Sequence, residues 1–306
     1  MALIVVGVDH SEGAKAALRF ALEEAKLRQA TVRVVHAWQY GYIGATGLEG
    51  AYPPVGGDIK ELRDAAETAL EDTLRESIPE TDTVEIERRV VQGRAAAALV
   101  DESRGADLLV VGSSHHTRFG RTLLGDVRRG VVRHAPCPVA VAPRAGDPGA
   151  LGTVGVAFDG SPEADEALRL GDALAREPGR RLRIFVVAQL PEIARAYVYP
   201  DDWARHREAL HRRAGQLLDR ALSGLGAHAG GVVIDGDAAR DLVAASREVD
   251  LMVVGSRCWG PARRVVAGST SDHLLHHAAC PVLVAPRTAK AAPLGAPRAA
   301  HDKAPA

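Results

Sequence analysis

The chain has 306 residues, enough for two domains of ordinary size, each with its own core. Apolar residues make up 46% and charged residues 25%, the balance of a soluble globular protein. The formal net charge of −1 divides into −3 over residues 1–150 and +2 over the rest. Neither half therefore carries the basic field that nucleic-acid binding demands, and no apolar run approaches the ~20 residues of a membrane span.

Met1 to Val8 leads straight into a strand pattern, with no basic n-region and no long apolar h-region, so no export signal is read there. The three cysteines, an odd number in a long chain, argue against a disulfide framework and fit a cytoplasmic protein. Ala14, Ala17, Leu18, Ala21, Leu22 and Ala25 recur at helical spacing behind Ser11, a good N-cap. Val32, Val34 and Val35 form a β-branched strand, followed by a Gly- and Pro-containing loop from Gly41 to Gly57. A second helix places Leu62, Ala65, Ala66, Ala69 and Leu70 on one face. Val84, Ile86, Val90 and Val91 read as an edge strand, with Glu85, Glu87 and Arg89 on its alternate face. Leu108 to Val111 is a continuous apolar run, as expected of a central parallel strand covered on both faces. The last helix and strand of this half are expected over Asp126 to His134 and Val139 to Val141.

The series then repeats. Ile4-Val5-Val6-Gly7-Val8-Asp9 matches Thr153-Val154-Gly155-Val156-Ala157-Phe158-Asp159, and Leu108 to Ser113 matches Leu251 to Ser256. Arg133-His134-Ala135-Pro136-Cys137-Pro138 matches His276-His277-Ala278-Ala279-Cys280-Pro281. From Gly112 to Cys137 the offset stays at 143 residues without a gap, which a duplication explains. Strands alternating with helices imply an α/β fold of two tandem Rossmann-like doubly wound domains. Each is expected to hold a five-stranded parallel sheet of order 3-2-1-4-5. The boundaries are 1–143 for the first domain, 144–152 for a linker and 153–286 for the second domain. Residues 287–306 hold Ala, Pro and charge with no periodicity and are expected to be a disordered tail.

In an open parallel sheet the ligand crevice lies beyond the carboxyl ends of the strands where chain order reverses. The first and fourth strands flank that point, ending at Asp9 and Gly112 in one half and at Asp159 and Gly255 in the other. In the second half Gly255-Ser256-Arg257-Cys258 is followed, nine residues on, by Gly268-Ser269-Thr270-Ser271 opening a helix. Hydroxyls and free N–H groups at a helix start suit a phosphate, while the plain alternative is that Ser269 or Thr270 only caps the helix.

The Asp-ended first strands, the Gly-Ser after each fourth strand and the Cys-Pro-Val endings together resemble the universal stress protein family, over nearly the whole chain except the tail. Nucleotide-binding members carry Gly, two residues, Gly, nine residues, then Gly and Ser/Thr. The resemblance implies an adenine nucleotide as cofactor, ATP foremost, with a magnesium ion as its companion. It places Phe158, Asp159, Ala188, Val254, Gly255, Arg257, Gly268, Ser269, Thr270 and Ser271 around a preferred second-domain site, with Arg263 and Arg264 in the same loop. Asp9, Ala37, Gly112, Gly125 and Val127 would form the first-domain counterpart. This sequence departs from the motif: the second glycine is His115 in one half and Cys258 in the other, and the Ser/Thr position of the first half is Asp126. A side chain at the glycine position intrudes on the ligand. A carboxylate at the helix start opposes phosphate, so the first site is expected to be impaired.

The resemblance also implies a cytoplasmic stress-response role in which nucleotide occupancy regulates an unnamed protein partner, with no membrane or nucleic-acid partner. The alternative is a degenerate scaffold that works through protein contacts alone. The last strands, Val139–Val141 and Val282–Val284, are apolar edges that need covering, so the domains are expected to pair as an intrachain pseudo-dimer. In the family such strands commonly mediate dimers, which leaves a homodimer as a further arrangement. No Gly-x-Ser-x-Gly elbow, Gly-x-x-x-x-Gly-Lys-Ser/Thr loop or paired carboxylates beside a nucleophile is present, so no enzyme is expected. His273 and His277, four apart, have zinc spacing but no accompanying carboxylate or Cys-x-x-Cys, and no metal site is assigned. Cys137 and Cys280 read as buried packing residues, Arg205, Arg207, Arg212 and Arg213 as a solvated helix face, and Tyr197, Tyr199 and Trp203 as a loop over the crevice or packing residues.

Overall fold

A computed structural model of the chain describes residues 2–39, 59–79, 82–113, 124–143, 152–189, 203–256 and 269–286. The first half runs β1 (Leu3–Gly7), α1 (Glu12–Arg28), β2 (Thr31–Trp38), α2 (Ile59–Ser77), β3 (Ile86–Gln92), α3 (Ala95–Glu102), β4 (Leu108–Gly112), α4 (Leu124–His134) and β5 (Val139–Ala142). The second runs β6 (Thr153–Ala157), α5 (Pro162–Ala175), β7 (Arg181–Ala188), α6 (Trp203–Leu222), β8 (Ala229–Asp235), α7 (Ala238–Ala245), β9 (Leu251–Val254), α8 (Ser269–His277) and β10 (Val282–Val284).

Strand side chains alternate between two faces, and each face has its own helix layer. Ile4, Val6, Leu108 and Val110 enter one core cluster with α1, α2, α5 and α6. Val5, Leu109 and Val111 enter the other with α3, α4, α7 and α8. The central strands β4, β5, β9 and β10 are apolar and buried at nearly every position, whereas the outer strands β3 and β8 have no fully buried residue and three exposed ones each. On β3, Glu87 accepts a hydrogen bond from Arg33 at 2.8 Å, so the edge is charged.

The strands form one sheet of ten, in the order β3-β2-β1-β4-β5-β10-β9-β6-β7-β8. Within each half all pairings are parallel. Each half keeps five parallel strands in the order 3-2-1-4-5, and the two last strands, β5 and β10, pair antiparallel and fuse the halves edge to edge into the expected pseudo-dimer. The physical cause is the one anticipated for these strands, since two bare apolar edges satisfy each other's N–H and C=O groups.

Local signals set the helix starts. Ser11 accepts from the Ala14 amide at 3.1 Å and Ser161 from the Ala164 amide at 3.2 Å, each with its backbone extended. Pro162 at the first turn of α5 costs no hydrogen bond there. Helix α1 ends on Gln29 in the left-handed region, with its N–H bonded to the Ala25 carbonyl. Of the linker expected over 144–152, residues 144–151 lie outside the described residues, as does the tail expected over 287–306. Among the described residues no helix is long and apolar enough to cross a membrane.

Candidate functional site

Each half has a crevice where its first and fourth strands end. In both, the aspartate after the first strand turns back on its own chain: Asp9 accepts from the Ser11 amide at 2.9 Å and Asp159 from the Ser161 amide at 3.0 Å. That places each carboxylate at the crevice wall beside the start of the next helix. The glycine ending the fourth strand is fixed by packing. A Cβ on Gly112 would lie 2.3 Å from the Gly13 carbonyl carbon, and one on Gly255 would lie 2.6 Å from the Glu163 oxygen. Only glycine lets the fourth strand approach the first helix so closely, which is a reason for these glycines independent of any ligand.

The second crevice encloses about 390 Å³. Phe158, Asp159, Val254, Gly255, Thr270 and Ser271 line it, all of them expected from the sequence. Ser271 donates from its hydroxyl to the Gly255 carbonyl at 3.5 Å, which ties the first turn of α8 to the end of β9. Ser269 is the first residue of α8. Arg257, Cys258, Arg263, Arg264 and Gly268 lie outside the described residues, as do Tyr197 and Tyr199.

Ala188 requires a correction. The lining residues are Val187 and Gln189. Strand register shows why: Gly7 pairs with Val35 and Ala157 with Phe185, so the counterpart of Ala37 is Val187. The resemblance points to the end of the second strand without fixing its register, and a one-residue slip moves a strand side chain to the opposite face. Ala188 packs against the other core cluster. Gln189 escaped the sequence reading, and its amide is held at both ends. It donates to Asp237 at 3.3 Å and accepts from the Ala238 amide at 3.1 Å, at the start of α7.

The first crevice encloses about 220 Å³ and is lined by Asp9, Ala37, Gly112 and Val127 as expected. Gly125 and Asp126 fall within the first turn of α4, and His115 lies outside the described residues. Arg128, another lining residue, was not anticipated. With the offset of 143, Val127 and Arg128 stand where the second crevice has Thr270 and Ser271. Arg128 is buried and reaches across to the other half, where it donates to the Leu275 carbonyl at 3.0 Å and contacts the His276 ring. Burial pushes its pKa down, with the charge of Asp272 opposing that. The guanidinium nevertheless remains the charged form across the working range. Extending the gapless repeat by two residues past Asp126 would have found it.

Three further groups fall as geometry directs. Cys137 and Cys280 are buried, and burial raises both thiols to about 12, so neither is a thiolate at neutral pH. The His273 and His277 rings lie 4.4 Å apart, and among the described residues no group of three metal-ligating side chains forms. Arg212 pairs with exposed Glu208 at 2.6 Å on α6, a solvated face.

Comparison with known proteins agrees with this architecture. The model of the Universal stress protein family matches residues 1–143 and 151–286. A universal stress protein of Mycobacterium tuberculosis is 31% identical over 306 residues, covering 92% of this chain and 95% of its own length. One from Mycolicibacterium smegmatis is 27% identical, covering 92% and 96%. Among solved structures, a universal stress protein from Archaeoglobus fulgidus superposes with a TM-score of 0.64 at 21% identity, over 94% of this chain and 98% of that one.

Proposed function

Because the chain belongs to the universal stress protein family, we propose that it is a cytoplasmic stress-response protein whose second crevice binds an adenine nucleotide and whose partner contacts depend on occupancy. The observation that carries the reading is the first turn of α8. Thr270 and Ser271 present hydroxyls at a helix N-terminus, in the crevice that Asp159 and Gly255 also line. Hydroxyl donors, unpaired helix N–H groups and the positive end of the helix dipole act together on a phosphate, while the Asp159 carboxylate in the same crevice suits the hydroxyls of a sugar. ATP is the foremost ligand, with a magnesium ion accompanying its phosphates. The role assigned is binding, with no catalytic residue.

A degenerate scaffold without nucleotide is the second reading, and Cys258 in place of the motif's second glycine favours it. Protein purified from its host, heat-denatured and spun, separates the two when the supernatant is analysed by mass spectrometry and the stripped chain is titrated with ATP by calorimetry. Adenine nucleotide in the supernatant, or saturable heat with ATP, is expected. Neither signal would leave the scaffold reading standing.

A further inference from the structure

The β5–β10 pairing is its own near-mirror. Ala140 faces Leu283, Val139 faces Val284 and Val141 faces Val282, and each residue's repeat counterpart is a member of the same six. By backbone alone, a first domain could therefore pair with another first domain, or a second with another second. The side chains are what differ.

Two asymmetries lie on the face covered by α1 and α5. The first is size: the pair at the centre of the seam is Ala140 with Leu283, both buried. Like-with-like pairing would set alanine against alanine, leaving a gap, or leucine against leucine, crowding the seam. The second is charge. Glu24 on α1 is fully buried and accepts from Arg180, which precedes β7, at 2.8 Å. Arg28 contacts Glu24 within α1 and lies 3.9 Å from Glu177 of the other half, while Arg180 lies 3.0 Å from Glu177. The two strand registers give a constant offset of 150 residues through this region. At that offset Glu24 corresponds to Leu174, Leu27 to Glu177, Arg28 to Pro178 and Ala30 to Arg180. Each charged member thus has an apolar counterpart in the other half. A pair of first domains would aim Glu24 at Ala30, and a pair of second domains would aim Arg180 at Leu174.

We propose that this seam is a specificity device that accepts only unlike partners: a first-type domain with a second-type domain. The Glu24–Arg180 pair and the Ala140–Leu283 fit together select the intrachain pairing and reject β-edge association of like domains. In a like pair Glu24 keeps Arg28 and Arg180 keeps Glu177, but each faces a methyl where its cross-seam partner stood and does not regain water there, and such a loss discriminates more strongly than the contact itself attracts.

The test begins from the folded full chain with a protease site placed between β5 and β6. After cleavage and incubation, native mass spectrometry counts unlike and like domain pairs. The wild-type seam is expected to keep unlike pairs at least roughly tenfold above like pairs, against the random ratio of about two to one for unlike over each like pair. The same chain carrying Glu24→Leu, Arg180→Ala and Leu283→Ala, which gives both halves the same three residues at these places, should move toward the random ratio. Arg28 and Glu177, left facing each other across the seam, are exchanged as well in a second variant that adds Arg28→Ala and Glu177→Leu, because a buried ionic cluster replaced whole by apolar residues commonly leaves a fold intact. Scrambling of the wild-type halves, or a variant that stays as selective as wild type, would each overturn the proposal. If the variant does not fold, the wild-type measurement decides alone.

Discussion

The two crevices share a backbone plan and differ in what stands at the first turn of the helix beside them. In the second, Thr270 and Ser271 offer hydroxyls to the cavity. In the first, Val127 offers none, and Arg128 turns its guanidinium toward Leu275 and His276 of the other half. A duplicated domain thus keeps the packing features that hold its fold, such as Gly112 and Gly255, while its polar features diverge. Packing constraints act on both copies equally, because both must bury a core. Ligand constraints act only on a copy that still binds.

That comparison can be broken first at the glycines. Gly112→Ala should destabilise the chain by about 1–3 kcal/mol or more, since the new methyl meets backbone rather than a flexible side chain. Gly255→Ala should cost less, its nearest contact being 2.6 Å against 2.3 Å. Differential scanning calorimetry of both variants checks the order, and a larger loss at Gly255 would reverse it. Next, Thr270→Val with Ser271→Ala should weaken ATP binding by roughly 1–3 kcal/mol in calorimetric titration, with the melting profile of the free protein little changed. Unaltered affinity would remove the hydroxyls from the site.

A smaller effect is expected from repairing the first crevice. In a full chain whose second site is disabled by those two substitutions, Asp126→Ser should raise ATP affinity by about 1 kcal/mol, most visibly at low ionic strength. His115→Gly should add to the gain. If neither tightens binding, the helix-start charge is not what impairs that site. The smallest effect concerns pH. His36 stands at the end of β2 with Nδ1 3.1 Å from the Val8 carbonyl, and burial, opposed by that hydrogen bond, holds its pKa below the ordinary 6.5. Its register counterpart is buried Val186. Below pH 6.5 the unfolded chain takes up the proton more readily than the folded one, so stability falls as pH drops through that value. Hydrogen exchange should show the loss in β1 and β2 before β6 and β7, and His36→Val should abolish the difference.

Much of this was legible in the sequence, for identifiable reasons. Strand and helix periods fixed the element order, and the gapless run from Gly112 to Cys137 fixed the duplication. The seam between β5 and β10 followed from two apolar edges needing cover. Ala188 differs because the resemblance names a strand end, and only the pairing register, which puts Val187 at Ala37's place, decides which residue faces the crevice. Glu24 was invisible for a different reason. Four residues before Arg28 on a helix, it reads as half of a solvated pair, and its other partner, Arg180, lies 156 positions away. Nothing local in a sequence reports a tertiary partner at that distance.

The fused sheet also imposes an order of events on synthesis. Strand β5 is complete at residue 142, but β10, which covers it, ends at residue 284. At a translation rate of about 5–20 residues per second, the first domain waits roughly 7–28 s with an apolar edge bare beside the ribosome. During that interval neighbouring nascent chains on the same messenger present the same edge. A seam whose central residue is alanine, with a buried glutamate that only the second half can answer, makes that edge a poor match for its own copies. The chain's vulnerable moment therefore falls before its second half exists, and the residues that guard it belong to the first.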